Sequence, residues 1–160
     1  MDLNKLTLGD KIVAATGIVL LITLVVLPWH SIDLCEGLGD TGGLGISCSF
    51  KRTAIQSPNG FFGLLALLLT IAIVAAVLIR KLTTTDLPTL PVGWGKAIFF
   101  GSLAALALLL LKLVIETTAL GFGSYLAILL AAGMAYGGFL LSKEDDVVAP
   151  GGGTAPPTPF

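Results

Sequence analysis

Four apolar stretches, residues 12–29, 61–79, 97–116 and 124–141, constrain this 160-residue chain more than any other feature. Each approaches the roughly 20 residues that, rising about 1.5 Å apiece, cross a hydrocarbon core about 30 Å thick. Within lipid the backbone must satisfy its own hydrogen bonds, so such stretches are expected to be helices. Barrel strands would be shorter and would alternate polar with apolar residues, which none of the four does. Composition points the same way. Hydrophobic residues make up 55% of the chain and charged residues 12%, and the mean hydropathy is +0.97. Soluble domains carry about a quarter charged residues, so this chain lacks the polar surface to coat a core in water. A cytosolic enzyme, a disordered protein and a basic nucleic-acid binder are thereby excluded. The expected fold is an all-α membrane protein, a four-helix transmembrane bundle over residues 1–142.

Local punctuation fits these spans. Ser57-Pro58-Asn59-Gly60 is a turn signal ahead of the second, Pro88 and Pro91 interrupt the next connection, and Gly121-Phe122-Gly123 makes the last one tight. Ser124 is placed to cap the fourth helix. The first span resembles a signal peptide at Lys5 and Lys11. It continues, however, into Pro28-Trp29-His30-Ser31 without a small-x-small cleavage site, and is read as retained. Trp29 and Tyr125 are expected to anchor one membrane interface and Trp94 the other. From Lys143 the composition turns to charged residues, then proline and glycine, and residues 143–160 read as a disordered cytoplasmic tail.

An even number of spans places both termini on one side. That side carries Lys5, Lys11, Arg80, Lys81, Lys96 and Lys143, against Lys51, Arg52 and Lys112 opposite. Excess Lys and Arg marks the cytoplasmic face, so the termini are expected inside and the loop of residues 30–59 outside, in a plasma (inner) membrane. Both cysteines, Cys35 and Cys48, fall in that loop, on the oxidising side where a disulfide persists. Closing such a loop would stabilise it by roughly 3 kcal/mol in the chain-entropy picture. A disulfide is the favoured reading. The alternatives are two reduced thiols, or metal ligation with His30 and Asp33, whose spacing matches no compact zinc pattern. Residues 46–55 are compatible with a short strand.

Lys112 is the one ionisable residue well inside an apolar run, and such residues are functional candidates. It is about one helical turn, roughly 6 Å, below the expected boundary, near enough for its stem to reach the headgroups. Glu116 lies four residues on, on the same helical face, and can pair with it. His30 reads as a solvated interface residue. Gly133 and Gly137, with Ala131 and Ala135 on a neighbouring face, let helices approach closely, within the bundle or across a dimer seam. No catalytic residue, cofactor site or metal site is expected.

A two-cysteine first loop followed by three more spans resembles the layout of claudins and peripheral myelin proteins. Those proteins carry a Gly-Leu-Trp step before the first cysteine, whereas here Gly37-Leu38 follows Cys35. The chain is more similar to small four-span bacterial membrane proteins of actinobacterial type. The matching pieces are Leu6-Thr7-Leu8-Gly9-Asp10-Lys11, Leu27-Pro28-Trp29, Leu111-Lys112-Leu113 and the small-residue run of residues 131–138. That resemblance implies an inner-membrane location and offers no activity to carry over. Packing faces without a catalytic or ion-pathway signature give the expected function, that of a non-enzymatic scaffold or accessory subunit acting through helix–helix and loop contacts. The alternative is a small oligomeric transporter or channel in which Lys112 contacts an anionic ligand or lipid headgroup. The partners expected are the lipid bilayer and either another membrane protein or further copies of the chain, with no nucleic acid.

Overall fold

The computed structural model describes residues 6–33, 49–56, 59–82 and 92–148. It is an all-α four-helix bundle with a small two-stranded sheet at one end. The elements in chain order are α1 (Leu8–Val26), β1 (Pro28–Asp33), β2 (Ser49–Thr53), α2 (Gly60–Leu82), α3 (Trp94–Ile115) and α4 (Phe122–Val148). All four helices are long and apolar enough to cross a membrane.

The two ends of α1 and the start of α3 have local causes. Thr7 caps α1 in a reciprocal capping box: its hydroxyl accepts from the Asp10 amide at 3.3 Å, while Asp10 Oδ2 accepts from the Thr7 amide at 3.0 Å. The helix ends at Leu27, whose extended ψ of 143° is what a residue before proline prefers. Gly93, with φ 76°, turns the chain into α3 through a conformation that favours glycine.

Around the bundle α1 lies between α2 and α4, and α3 closes the ring between the same two helices. The inward positions alternate steps of four and three residues: Val13, Gly17, Leu20 and Leu24 in α1, and Ala66, Thr70, Ile73 and Val77 in α2. In α3 the same alternation gives Ile98, Ser102, Ala105, Leu109 and Lys112. This spacing is that of left-handed bundles. The outer faces are apolar as well, with Ile22, Leu68, Val114 and Leu129 each more than half exposed. Such a continuous apolar exterior suits lipid and not water.

Small residues set the closest helix approaches. A Cβ on Gly137 would lie 2.9 Å from the Ile12 and Val13 side chains and 3.0 Å from the Val13 amide nitrogen. One on Gly133 would lie 3.1 Å from Thr16, and one on Gly17 would collide with Val74. Gly133 and Gly137 thus both face α1 of the same chain, and Ala131 and Ala135 are buried.

The sheet differs from expectation. The first helix occupies Leu8–Val26 rather than 12–29, and Pro28 opens a strand instead of closing a span. Proline is tolerated there because the first residue of a strand needs no ladder donor. The strand expected within 46–55 is β2, which pairs antiparallel with β1, placing His30 opposite Arg52 and Ile32 opposite Phe50. The other edge of β1 takes the α3–α4 connection: the Ser31 amide donates to the Ala119 carbonyl at 3.0 Å, and the Gly121 amide to the Trp29 carbonyl at 2.7 Å. β1 is therefore held on both edges.

Four further expectations are corrected. Trp29 is 1% exposed, packed in the core rather than anchored in an interface; the turn into β1 directs it inward. Ser124 does not cap α4, which begins two residues earlier; its hydroxyl donates to the Gly121 carbonyl at 2.7 Å. The tail is not irregular from Lys143, because α4 runs on to Val148. Nothing between Lys143 and Val148 breaks a helix, and the first proline is Pro150. His30 is not a freely solvated residue, because its side chain is only 12% exposed and is paired with Glu116. Cys35 and Cys48 lie outside the described residues, as does the tail beyond Val148.

Candidate functional site

The end of α3, the edge of β1 and the start of α2 converge at the sheet end of the bundle. Lys112, in the last turn of α3, is fully buried. Its ammonium donates to Glu116 Oε2 at 2.8 Å, to Glu116 Oε1 at 3.0 Å and to the Asn59 carbonyl at 3.3 Å. Those acceptors match the three donors of an ammonium group. It also lies 5.5 Å from the centre of the Trp29 ring, within cation–π range. The side chain therefore turns into the bundle and not out along its surface.

Glu116 is the hub. It follows the last residue of α3, and its side chain is 5% exposed. Besides Lys112, its Oε2 accepts from His30 Nε2 at 2.7 Å. Burial pushes the Glu116 carboxyl up, but hydrogen bonds from Lys112 and His30, the Lys112 charge and a hydrogen bond with the Asn59 side chain outweigh it and hold the carboxyl below its ordinary value. His30 is itself fixed from two sides, because its Nδ1 faces the Thr118 carbonyl oxygen at 3.3 Å. Both ring nitrogens thus face oxygen atoms, which fixes the orientation of the ring.

Beside this cluster opens a cleft of about 500 Å³, within the range of small-molecule sites. Ile32, Phe50, Ile115 and Ala119 supply apolar wall, and His30, Arg52, Asn59, Glu116 and Thr118 the polar part. Phe50 and Arg52 point the same way because alternate strand residues share a face, and the Arg52 guanidinium stacks over the Phe50 ring at 4.7 Å. Ile32, Phe50 and Ile115 are each about half exposed, so the cleft opens at the surface where the apolar exterior of α3 ends.

A second ionic clasp sits at the opposite end. Lys81 Nζ, in the last turn of α2, reaches Asp10 Oδ2 at 3.1 Å. The same oxygen accepts from the Thr7 hydroxyl at 3.0 Å, which ties the start of α1 to the end of α2.

Of the residues singled out from sequence, the structure brings together Lys112, Glu116 and Trp29. Trp94 starts α3 at the far end, and Tyr125, 59% exposed, faces outward from α4. Sequence reasoning missed Arg52 and the role of His30. One available signal was depth: His30 follows the first span and Glu116 ends the third, so both belong to one end of an antiparallel bundle. Among the described residues no group of three or more His, Cys, Asp or Glu side chains is positioned to hold a metal ion. Compared with known proteins, the chain matches no protein-family profile, no curated protein and no solved structure.

Proposed function

We propose that this chain is a multi-pass membrane protein that acts without catalysing a reaction, as a scaffold or accessory subunit. The observation that carries this reading is the inward direction of the charged network: Lys112 and His30 both converge on Glu116. Groups paired in this way fasten β1 to the end of α3 and fix the shape of the sheet end. The basic side chains Lys11, Arg80, Lys81, Lys96 and Lys143 gather at the terminal end, which supports cytoplasmic termini in a plasma (inner) membrane. The sheet and the loop with Cys35 and Cys48 then face the exterior, where a bridge between the two would persist. The likeness to four-span bacterial membrane proteins is part of the same proposal.

The test pairs two measurements on the full chain. Photo-cross-linking in native membranes, from probes at outward positions of α4 such as Leu129, is expected to trap one discrete partner, either another membrane protein or a second copy. Reconstituted vesicles are expected to pass no solute. Flux that depends on Lys112, lost in Lys112→Met while the fold survives, would overturn the scaffold in favour of a transporter or channel.

A further inference from the structure

We infer that the outward face of α4 is the seam of a parallel, two-fold dimer, and that its partner is a second copy of this chain. The inference rests on the bilayer placement in the scaffold reading and names the partner that the scaffold holds.

A hydroxyl shows that this face is covered. Tyr136 is 59% exposed on the outside of α4, within the apolar span Phe122–Glu144. Along the axis it lies about 21 Å from Phe122 and about 12 Å from Glu144. Side chains lean toward the start of their helix, so the ring carries its hydroxyl toward the middle of the bilayer and away from the nearer rim. Neither water nor a headgroup answers an O–H at that depth, and leaving one unanswered in hydrocarbon is costly. Thr16, Thr23, Thr70 and Ser102 avoid that cost by donating to carbonyls of their own helices. The phenol of Tyr136 stands too far from its own backbone to do the same, and among the described residues no group of the chain bonds to it. Its acceptor comes from outside the chain.

The face around Tyr136 fits a helix of the same kind. Phe122, Tyr125, Leu129, Ala132, Tyr136 and Phe139 are all exposed and follow one another at alternating steps of three and four residues. Such a repeat is the seam of a left-handed helix pair. Ala132, the smallest of the six, lies one turn before Tyr136, where a ring leaning toward the helix start comes to lie. It leaves room there for the ring of a partner. Two copies inserted with the same topology are related by a two-fold axis along the bilayer normal, which brings residue 136 of each to one depth. A phenol both donates and accepts, so the two hydroxyls answer one another. That self-complementarity selects a second copy, because an unrelated helix needs an acceptor of its own at the same level. A single polar position in an apolar seam also fixes its register. Gly133 and Gly137 take no part, since both are used against α1.

The full chain, purified in two batches with different fluorescent proteins at the C-terminus and mixed into phosphatidylcholine vesicles, tests this by energy transfer at falling protein-to-lipid ratios. Wild type is expected to follow the concentration dependence of a dimer. Tyr136→Phe, which removes only the hydroxyl, should weaken association about threefold, the worth of one hydrogen bond between helices in lipid. Ala132→Trp fills the space for the partner's ring and should weaken it about tenfold or more. The control is Val114→Trp, at a position 70% exposed on α3, and is expected to change nothing. A wild type that stays monomeric at every ratio would overturn the seam. So would a dimer that Tyr136→Phe or Ala132→Trp leaves unchanged, or one that Val114→Trp weakens equally. The two readings fail separately. A monomeric purified chain whose Leu129 probe traps a different protein in native membranes sinks the second copy and leaves the scaffold standing. A dimer with this seam whose vesicles pass solute through Lys112 sinks the scaffold and leaves the seam. Circular dichroism confirms that each variant keeps its helices.

Discussion

At the scale of residues, the energetics turn on Glu116. A buried lysine deprived of its partner is costly, whereas replacing both members of a buried pair with apolar residues is often neutral. Glu116→Gln is therefore expected to destabilise the bundle by about 3 kcal/mol, and the double replacement Lys112→Met with Glu116→Leu by far less. Reversible unfolding in mixed micelles measures both. The Glu116 carboxyl is held below its ordinary value of 4.5, so more protons bind the unfolded chain than the folded one in that region. The stabilisation is complete above about pH 4.5 and is lost as pH falls through the lower folded value. Unfolding midpoints of wild type and Glu116→Gln should converge on acidification below that point. The pairing of Lys112 with Glu116 was readable from their spacing, because four residues along a helix is a contact distance. The His30 contact was not, since 86 residues separate the partners and only the fold supplies their proximity.

At the scale of elements, the apolar stretches announced four helices, but their ends obeyed local chemistry that hydropathy does not register. Thr7 and Asp10 start α1 four residues before the apolar run, and Pro28 ends it early. The missed strand β1 is short, and its register depends on partners from two distant segments, β2 and the α3–α4 connection. His30 joins these pieces. Removing it in His30→Phe should loosen β1 from the end of α3, raising the hydrogen-exchange rate of the Ser31 amide about tenfold while leaving mid-helix amides unchanged. Between helices, the contact of α1 with α4 is close at Gly137, where a Cβ would meet backbone as well as side chains. Gly137→Leu places bulk against Ile12, Val13 and a backbone nitrogen, and is expected to cost about 2 kcal/mol or more as overpacking. Gly133→Ala, which meets the methyl of Thr16 at 3.1 Å, should cost less. The same micelle unfolding assay ranks the two.

At the scale of the whole molecule, the asymmetry of basic residues gives the topology proposal its sharpest test. With an impermeant maleimide on intact cells, Cys35 and Cys48 are expected to react only after reduction, and a cysteine introduced by Lys143→Cys only after permeabilisation. Labelling of Cys35 and Cys48 without reductant would exclude the bridge, and their protection until the cells are opened would invert the orientation.

The placement of polar atoms along the four helices also has a consequence for how the protein is built. Thr16, Thr23, Thr70 and Ser102 each donate to the carbonyl one turn back, at 2.7 to 2.8 Å. Lys112 finds its counter-ion four residues on, just past the end of α3. Each span can accordingly enter lipid alone, with these groups already answered, before it meets its neighbours. The pairs that join one element to another, Lys81 with Asp10 and His30 with Glu116, sit at the two rims. A lesion at either rim is therefore expected to leave a chain that still threads the bilayer but holds its helix ends less firmly.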